Sequence, residues 1–183
     1  PHVLALGNLK FAAPPLPADP GMLSDLKTRK GSRPCWIAAS THDGEERLAA
    51  GLHKLIAQDL PNLLTVIVPR HPERGDAIAR EVREAGLRVA LRSKGQPLED
   101  GAEVYIADTI GELGLFFRLA DVVFMGKSLV PMGGQNPLEP ARLGKPVLFG
   151  PHMANFEEIA QRMVDAGAAR QVTGENGLLE ALQ

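Results

Sequence analysis

The chain has 183 residues, 44% of them hydrophobic and 23% charged, which is the composition of one ordinary globular domain. Its formal net charge of -2 gives no electrostatic argument for binding nucleic acid or an anionic membrane. The lone cysteine, Cys35, rules out an internal disulfide, and its apolar neighbours predict a buried, unreactive thiol. The apolar runs are too short to span a bilayer, and no signal-peptide pattern is found.

Short apolar or β-branched runs alternate with longer amphipathic stretches. The predicted strands are residues 3–6, 36–39, 64–68, 89–91, 104–106, 122–125, 147–149 and 169–172. The predicted helices are residues 45–60, 74–85, 112–119, 137–143, 156–166 and 175–182, with Pro- and Gly-rich loops at 12–20 and 129–134. This alternation predicts βαβ units, and therefore an α/β fold with an open, doubly wound, Rossmann-like parallel sheet.

Polar side chains follow several predicted strands. They are Ser40, Thr41, His42, Arg70, His71, Asp108, Thr109, Glu112, Lys127, Ser128 and His152. In a doubly wound sheet the ligand lies beyond the carboxyl ends of the strands, at the topological switch point. The sequence therefore predicts a binding site at this edge.

A glycine loop precedes the predicted helix at 137–143. Gly133 and Gly134 permit a positive φ or a close approach to a ligand, and Asn136 followed by Pro137 is a typical helix start. Free N–H groups at such a start bind phosphate, although an ordinary capped helix is an equally open interpretation.

Glu139 and Arg70 also carry two interpretations each. The Glu139 carboxylate would either stabilise the helix start or accept hydrogen bonds from ribose hydroxyls. The Arg70 guanidinium would either bind a phosphate or form a surface ion pair. His42 and His71 are candidate proton donors, but loop histidines are more often structural.

Several catalytic motifs are absent from the sequence. It has no Walker A loop, no GxGxxG after its first predicted strand and no GxSxG elbow, so NTPase, nicotinamide and hydrolase functions lose their main support. The five histidines show no ligand-like grouping. We expect neither a metal site nor a cofactor.

Six segments occur in the order typical of one family. They are GNLKF (7–11), STHDGEE (40–46), PRHPER (69–74), DTIGELG (108–114), GGQNPLEP (133–140) and GPHMANF (150–156). Together they resemble the 3-deoxy-D-manno-octulosonic acid (Kdo) transferases of bacterial lipopolysaccharide synthesis, and the similarity runs over nearly the whole chain. Lys127 and Gln135 depart from that family's pattern, where glycine and histidine are common.

The resemblance implies a GT-B glycosyltransferase, in which two Rossmann-like domains face each other across a cleft. Residues 1–183 would form the C-terminal domain, which binds the donor CMP-Kdo. The acceptor domain, its membrane-associated N-terminus and the catalytic base would lie upstream of this chain. The acceptor would be a lipid A precursor at the cytoplasmic face of the bacterial inner membrane.

The resemblance also carries a set of CMP-binding residues. They are Pro69, Arg70, Ile110, Gly111, Glu112, Asn136, Pro137, Leu138 and Glu139, with Ser40, Thr41, His42, Gly133 and Gly134 as candidate phosphate or sugar contacts. The segment at Ile110 would meet the cytosine, and the segment at Asn136 the phosphate and ribose.

Two alternatives stay open: the donor domain of another GT-B enzyme, such as a UDP-sugar transferase or epimerase, and a non-catalytic nucleotide-binding module.

Overall fold

Seven strands form one parallel sheet in the computed structural model, which describes residues 13–98 and 101–183. They are β1 (Cys35–Thr41), β2 (Leu64–Pro69), β3 (Val89–Leu91), β4 (Val104–Ile106), β5 (Val122–Met125), β6 (Val147–Phe149) and β7 (Ala169–Gln171). Their order across the sheet is β3-β4-β2-β1-β5-β6-β7, and every neighbouring pair is parallel. The predicted α/β sheet is thus confirmed, while the predicted strand at 3–6 and the GNLKF segment lie outside the described residues.

The helices cover both faces of this sheet. They are α1 (Pro20–Lys30), α2 (Glu45–Ile56), α3 (Gly75–Glu84), α4 (Leu113–Leu119), α5 (Leu138–Ala141), α6 (Glu157–Asp165) and α7 (Gly174–Leu182), with 3-10 turns at Pro72–Arg74 and Ala154–Phe156. One hydrophobic cluster joins α1, α4 and α6 to one face, and a second joins α2, α3 and α7 to the other. Because both faces are covered, β2 is buried along its entire length.

The strand order reverses between β1 and β5. The chain leaves β1 towards β2 on one side, and leaves β5 towards β6 on the other. A Cβ at Gly126, directly after β5, would lie 2.7 Å from the carbonyl oxygen of Ser40 and 2.8 Å from Cα of Thr41. Glycine therefore lets the two strand ends approach closely at the switch point.

Helix α1 is missing from the sequence-based prediction, because only Leu26 of its residues is buried and apolar periodicity is therefore weak. Its capping signals were present. The Asp19 side chain accepts a hydrogen bond from the Met22 N–H at 2.8 Å, Pro20 is the first helical residue and Gly31 ends the helix.

Candidate functional site

A cavity of about 470 Å³ opens at the carboxyl edge of the sheet. Its lining residues are Leu16, Pro17, Ser40, Arg70, Gly111, Leu113, Gly114, Gln135, Asn136, Glu139 and Phe156. Five of the predicted site residues thus come together from four separate segments of the chain: Ser40, Arg70, Gly111, Asn136 and Glu139. We call this space the carboxyl-edge cavity.

The other predicted site residues adjoin the carboxyl-edge cavity in the chain but do not line it. They are Thr41, His42, Pro69, Ile110, Glu112, Gly133, Gly134, Pro137 and Leu138. Thr41, Pro69 and Leu138 are buried, so their side chains support the neighbouring strand ends and helix α5.

Arg70 is exposed at the end of β2, and its backbone N–H donates to the carbonyl of Thr41 at 3.0 Å. Within residues 13–98 and 101–183, no carboxylate lies within 4.0 Å of its guanidinium. Among the described residues the guanidinium therefore forms no ion pair; it lines the cavity together with Glu139, whose carboxyl group its charge influences.

Glu139 lies on the short helix α5 and is partly buried. Burial raises the pKa of its carboxyl group, while a hydrogen bond from Asn136 and the charges of Arg142 and Arg70 oppose that rise. The Asn136 Nδ2 donates to Glu139 Oε1 at 3.2 Å. A carboxylate held at a cavity wall in this way can accept further hydrogen bonds from ligand hydroxyls.

The predicted helix at 137–143 is only partly correct, because α5 spans Leu138–Ala141. The cap residue is Pro137 rather than Asn136, although Asn136 Oδ1 accepts the N–H of Leu138 at 3.2 Å. Pro137 and Pro140 carry no N–H. The helix start therefore offers fewer donors to a phosphate than the sequence predicts, which leaves Arg70 as the stronger candidate for binding an anion.

Gly133 and Gly134 have φ angles of 90° and 73°, which favours glycine as expected. Their close approach, however, is to protein: a Cβ at Gly133 would strike the Asn155 side chain, and one at Gly134 would strike Met153. These glycines pack the loop against the turn after β6, which explains their presence without a ligand.

Glu45 is a buried carboxylate that sequence reasoning did not assign to the site, and it is only 3% exposed. It accepts backbone N–H groups of His42 at 3.0 Å, Lys127 at 2.7 Å and Leu129 at 3.4 Å. The first belongs to the loop after β1 and the other two to the loop after β5. Glu45 therefore ties together the two loops at the switch point.

Glu46, 2% exposed, connects the loops after β1 and β2. It accepts the Thr41 hydroxyl at 3.0 Å and Arg74 Nη1 at 2.8 Å. Arg74 also contacts Asp43 at 2.8 Å. The STHDGEE and PRHPER segments thus bind each other, and Glu46 with Arg74 fixes the loop that carries Arg70.

Glu112 orients the loop after β4. Its carboxylate pairs with Arg92 at 2.6 Å and accepts the Thr109 hydroxyl, and the Arg92 hydrogen bond holds the pKa of Glu112 below its usual value. The side chain is therefore engaged within the protein. The same loop presents Ile110, which is 88% exposed, and Gly111, which has a φ of 83°.

His42 and His71 meet edge to face at the ends of β1 and β2, with ring centroids 5.7 Å apart. Burial lowers the pKa of His42, and the positive charges of Lys127, His71, Arg70 and Arg74 lower it further. His42 is therefore mostly neutral at pH 7 and lies in a positive electrostatic environment.

A larger cavity, of about 920 Å³, lies at the opposite edge of the sheet. Ser32, Leu63, Arg88 and Gly101 are among its lining residues, and each precedes a strand. Ligands of doubly wound sheets bind at the carboxyl ends of strands, so this amino-edge cavity is the weaker candidate despite its size.

Residues 13–98 and 101–183 contain no group of three or more His, Cys, Asp or Glu side chains placed to hold a metal ion.

No family model matches the chain. The 3-deoxy-D-manno-octulosonic acid transferase of Haemophilus influenzae is 38% identical over 151 residues, which cover 82% of this chain. The crystal structure of the C-terminal CMP-Kdo binding domain of WaaA from Acinetobacter baumannii matches with a TM-score of 0.84 at 32% identity, covering 88% of this chain and 86% of that one. The chain belongs to the Kdo transferase family.

The chain spans 33–42% of the length of the curated relatives it matches. A UDP-GlcNAc 2-epimerase from Neisseria meningitidis shares its fold, with a TM-score of 0.53 at 15% identity. Among the described residues, no helix is long and apolar enough to cross a membrane.

The backbone at the switch point is strained in two places. Ser40 and Lys127 have φ angles of 54° and 61°, a region that residues with a side chain seldom adopt. A glycine, which the family resemblance leads us to expect at position 127, would adopt this angle freely. Lysine must instead be held there, and the hydrogen bond from its N–H to Glu45 does so.

Proposed function

We propose that this chain is the donor-binding domain of an inverting Kdo transferase and that the carboxyl-edge cavity binds the CMP moiety of CMP-Kdo. The observation that carries the proposal is the convergence on one cavity of an unpaired arginine, Arg70, and a partly buried carboxylate, Glu139. The first suits a phosphate and the second suits ribose hydroxyls. The 32% identity to a CMP-Kdo binding domain supports the same ligand.

Cleavage of the donor's sugar–phosphate bond takes the CMP phosphate from one negative charge towards two. Arg70 would stabilise this growing charge more strongly in the transition state than in the bound donor, which makes a binding group catalytic. The sugar would become oxocarbenium-like and be attacked from the opposite face, which inverts its configuration. The lipid A precursor and the base that activates it would belong to the part of the relatives that this chain does not match, at the cytoplasmic face of the inner membrane.

The loop after β4 would receive the cytosine. Ile110 offers an exposed apolar side chain, and Gly111 lines the carboxyl-edge cavity. A base stacked on Ile110 would bury apolar surface that is now in water, which is favourable. The Glu112–Arg92 pair would contribute indirectly, because it fixes the loop.

Titration calorimetry of this chain with CMP, UDP and CMP-Kdo tests the proposed function. We expect both CMP and CMP-Kdo to bind, and UDP to bind at least tenfold more weakly, a difference of about 1.4 kcal/mol. Tighter binding of UDP would favour a UDP-sugar transferase or epimerase. If this chain binds CMP but a longer protein that includes the acceptor region transfers no Kdo, the non-catalytic module would be favoured.

If Glu139 binds the ribose, its substitution should weaken binding only of ligands that carry ribose hydroxyls. Glu139→Gln should weaken CMP binding by about 1.5–3 kcal/mol, the value of a hydrogen bond to a charged group. It should weaken a 2′,3′-dideoxy analogue much less, because that ligand has no hydroxyls to donate. Calorimetry of both proteins with both ligands forms a double-mutant cycle. Additive losses would mean that Glu139 does not touch the ribose.

Donor binding is also expected to be independent of divalent metal ions. Arg70 can supply the positive charge that a metal ion supplies in other nucleotide sites. The affinity for CMP should therefore be the same in EDTA as in magnesium. Loss of binding in EDTA, with recovery on adding magnesium or manganese, would reject this expectation.

A further inference from the structure

A proline-rich stretch borders the carboxyl-edge cavity. Residues 13–19, which we call the proline strap, precede α1 and form neither helix nor strand. Leu16 and Pro17 of the strap line the cavity, together with Leu113 and Gly114 at the start of α4. Three of the seven strap residues are prolines, whose rings fix φ and leave the backbone little freedom. One side of the cavity is therefore stiff before any ligand binds.

The proline strap is held against α4 by a hydrogen bond and by a close approach of the backbone. Arg118 Nη1 donates to the carbonyl of Leu16 at 2.8 Å and to that of Gly114 at 2.7 Å. A Cβ at Gly114 would lie 2.8 Å from Cβ of Leu16 and closer still to the carbonyl oxygen of Pro17. Glycine therefore lets the strap lie directly on the helix. Beyond the strap, Asp19 caps α1 and fixes the other end.

The polar and apolar groups of the cavity come from different elements. Its charged groups are Arg70, after β2, and Glu139, on α5. Its apolar groups beside the start of α4 are Leu16, Pro17 and Leu113, which we call the apolar wall. A pyrimidine nucleotide is divided similarly, into an anionic phosphate, a polar ribose and a flat base with apolar faces. With the phosphate at Arg70 and the ribose at Glu139, the apolar wall is left for the base.

We propose that the cytosine of the donor packs against the apolar wall, and that Arg118 is the positioning residue that holds the proline strap in place for it. This inference rests on the proposed function. Leu16 and Leu113 are only partly buried, so a base can cover apolar surface that they now expose. Because the strap is ordered before binding, little conformational entropy is lost when the base arrives.

Gly114→Ala tests the proposal, because the added methyl group must push the proline strap away from α4. Nuclear magnetic resonance titration with CMP and with ribose 5-phosphate compares a ligand that has the base with one that lacks it. We expect about tenfold weaker binding of CMP and less than about twofold weaker binding of ribose 5-phosphate. In the unmodified chain, CMP should shift the Leu16 amide signal, whereas ribose 5-phosphate should not.

Gly51→Ala is the matched control. Gly51 lies within α2, on the other face of the sheet, and a Cβ there would meet Glu175 Oε1 at 3.7 Å, an ordinary van der Waals contact. The same substitution at this helical position should leave both affinities unchanged.

Two positions test the proposal without a clash at α4. Leu16→Ala removes a side chain of the apolar wall and should weaken CMP about fivefold, with ribose 5-phosphate hardly affected. Arg118→Gln should likewise weaken CMP more than ribose 5-phosphate, because the strap loses its charged donor. Arg118→Lys, which can still donate to the Leu16 carbonyl, should keep most of the affinity for CMP.

The two ligands separate the possible outcomes. Equal losses for CMP and ribose 5-phosphate in Gly114→Ala and Leu16→Ala, or unchanged CMP binding in both, would overturn the assignment of the apolar wall to the base while leaving the CMP site intact. Failure of the unmodified chain to bind CMP would instead reject the proposed function.

Discussion

Replacing Glu45 by alanine is expected to lower the free energy of unfolding by about 3–5 kcal/mol. The buried carboxylate accepts backbone N–H groups of His42 and Lys127 at 3.0 and 2.7 Å, and each hydrogen bond to a charged group contributes about 1.5–3 kcal/mol. Alanine would leave these donors without their acceptor. Lys127 would also lose the hydrogen bond that holds its backbone at a φ of 61°. Urea denaturation followed by circular dichroism measures the change.

Glu84→Ala, at an exposed position at the end of α3, is the control and should change the unfolding free energy by less than about 0.5 kcal/mol. Glu45→Gln should fall between the two, since an amide oxygen can still accept one of the N–H groups. A loss below about 1 kcal/mol in Glu45→Ala would show that the loops at the switch point do not depend on this carboxylate.

Replacing Arg70 by alanine should weaken CMP binding about 10- to 150-fold while changing cytidine binding little. The range corresponds to about 1.5–3 kcal/mol for a hydrogen bond between charged partners. Arg70 has no carboxylate partner among the described residues, so its removal should disturb the folded protein little. Calorimetry with the two ligands separates a phosphate contact from a structural effect, because cytidine lacks the phosphate.

Two further variants test whether the loss of CMP affinity is specific to the charge and shape of the Arg70 side chain. Arg70→Lys should recover part of the affinity, because lysine keeps the charge but not the planar pair of donors. Arg83→Ala, exposed near the end of α3, should bind both ligands as the unmodified chain does. Equal losses for CMP and cytidine in Arg70→Ala would show that Arg70 shapes the cavity without contacting the phosphate.

The strands were the most predictable part of the fold. The predicted strands at 89–91, 104–106, 122–125 and 147–149 coincide with β3, β4, β5 and β6. Parallel strands covered on both faces are short, continuous apolar runs that differ clearly from amphipathic helices. Helix ends were less predictable: α2 ends at Ile56 rather than at residue 60, because the chain continues in turns after the periodic apolar residues.

The position of the site could be predicted, but its internal contacts could not. Parallel strands place their carboxyl ends at one edge, so polar residues after strands converge by topology alone. The partners of Glu45 lie more than 80 residues away at Lys127 and Leu129, and no local pattern specifies such contacts. Leu16 and Pro17 line the cavity because Arg118 binds the Leu16 carbonyl at 2.8 Å, which is another long-range contact.

Nuclear magnetic resonance of the isotope-labelled chain titrated with CMP tests the central claim most directly, because it locates the ligand. We predict the largest amide shifts at Ser40, Gly111 and Glu139, which line the carboxyl-edge cavity. Ser32 and Gly101, which line the larger cavity at the opposite edge, should hardly shift. Shifts concentrated at Ser32 and Gly101, or none at saturating CMP, would contradict the assignment of the carboxyl-edge cavity as the nucleotide site.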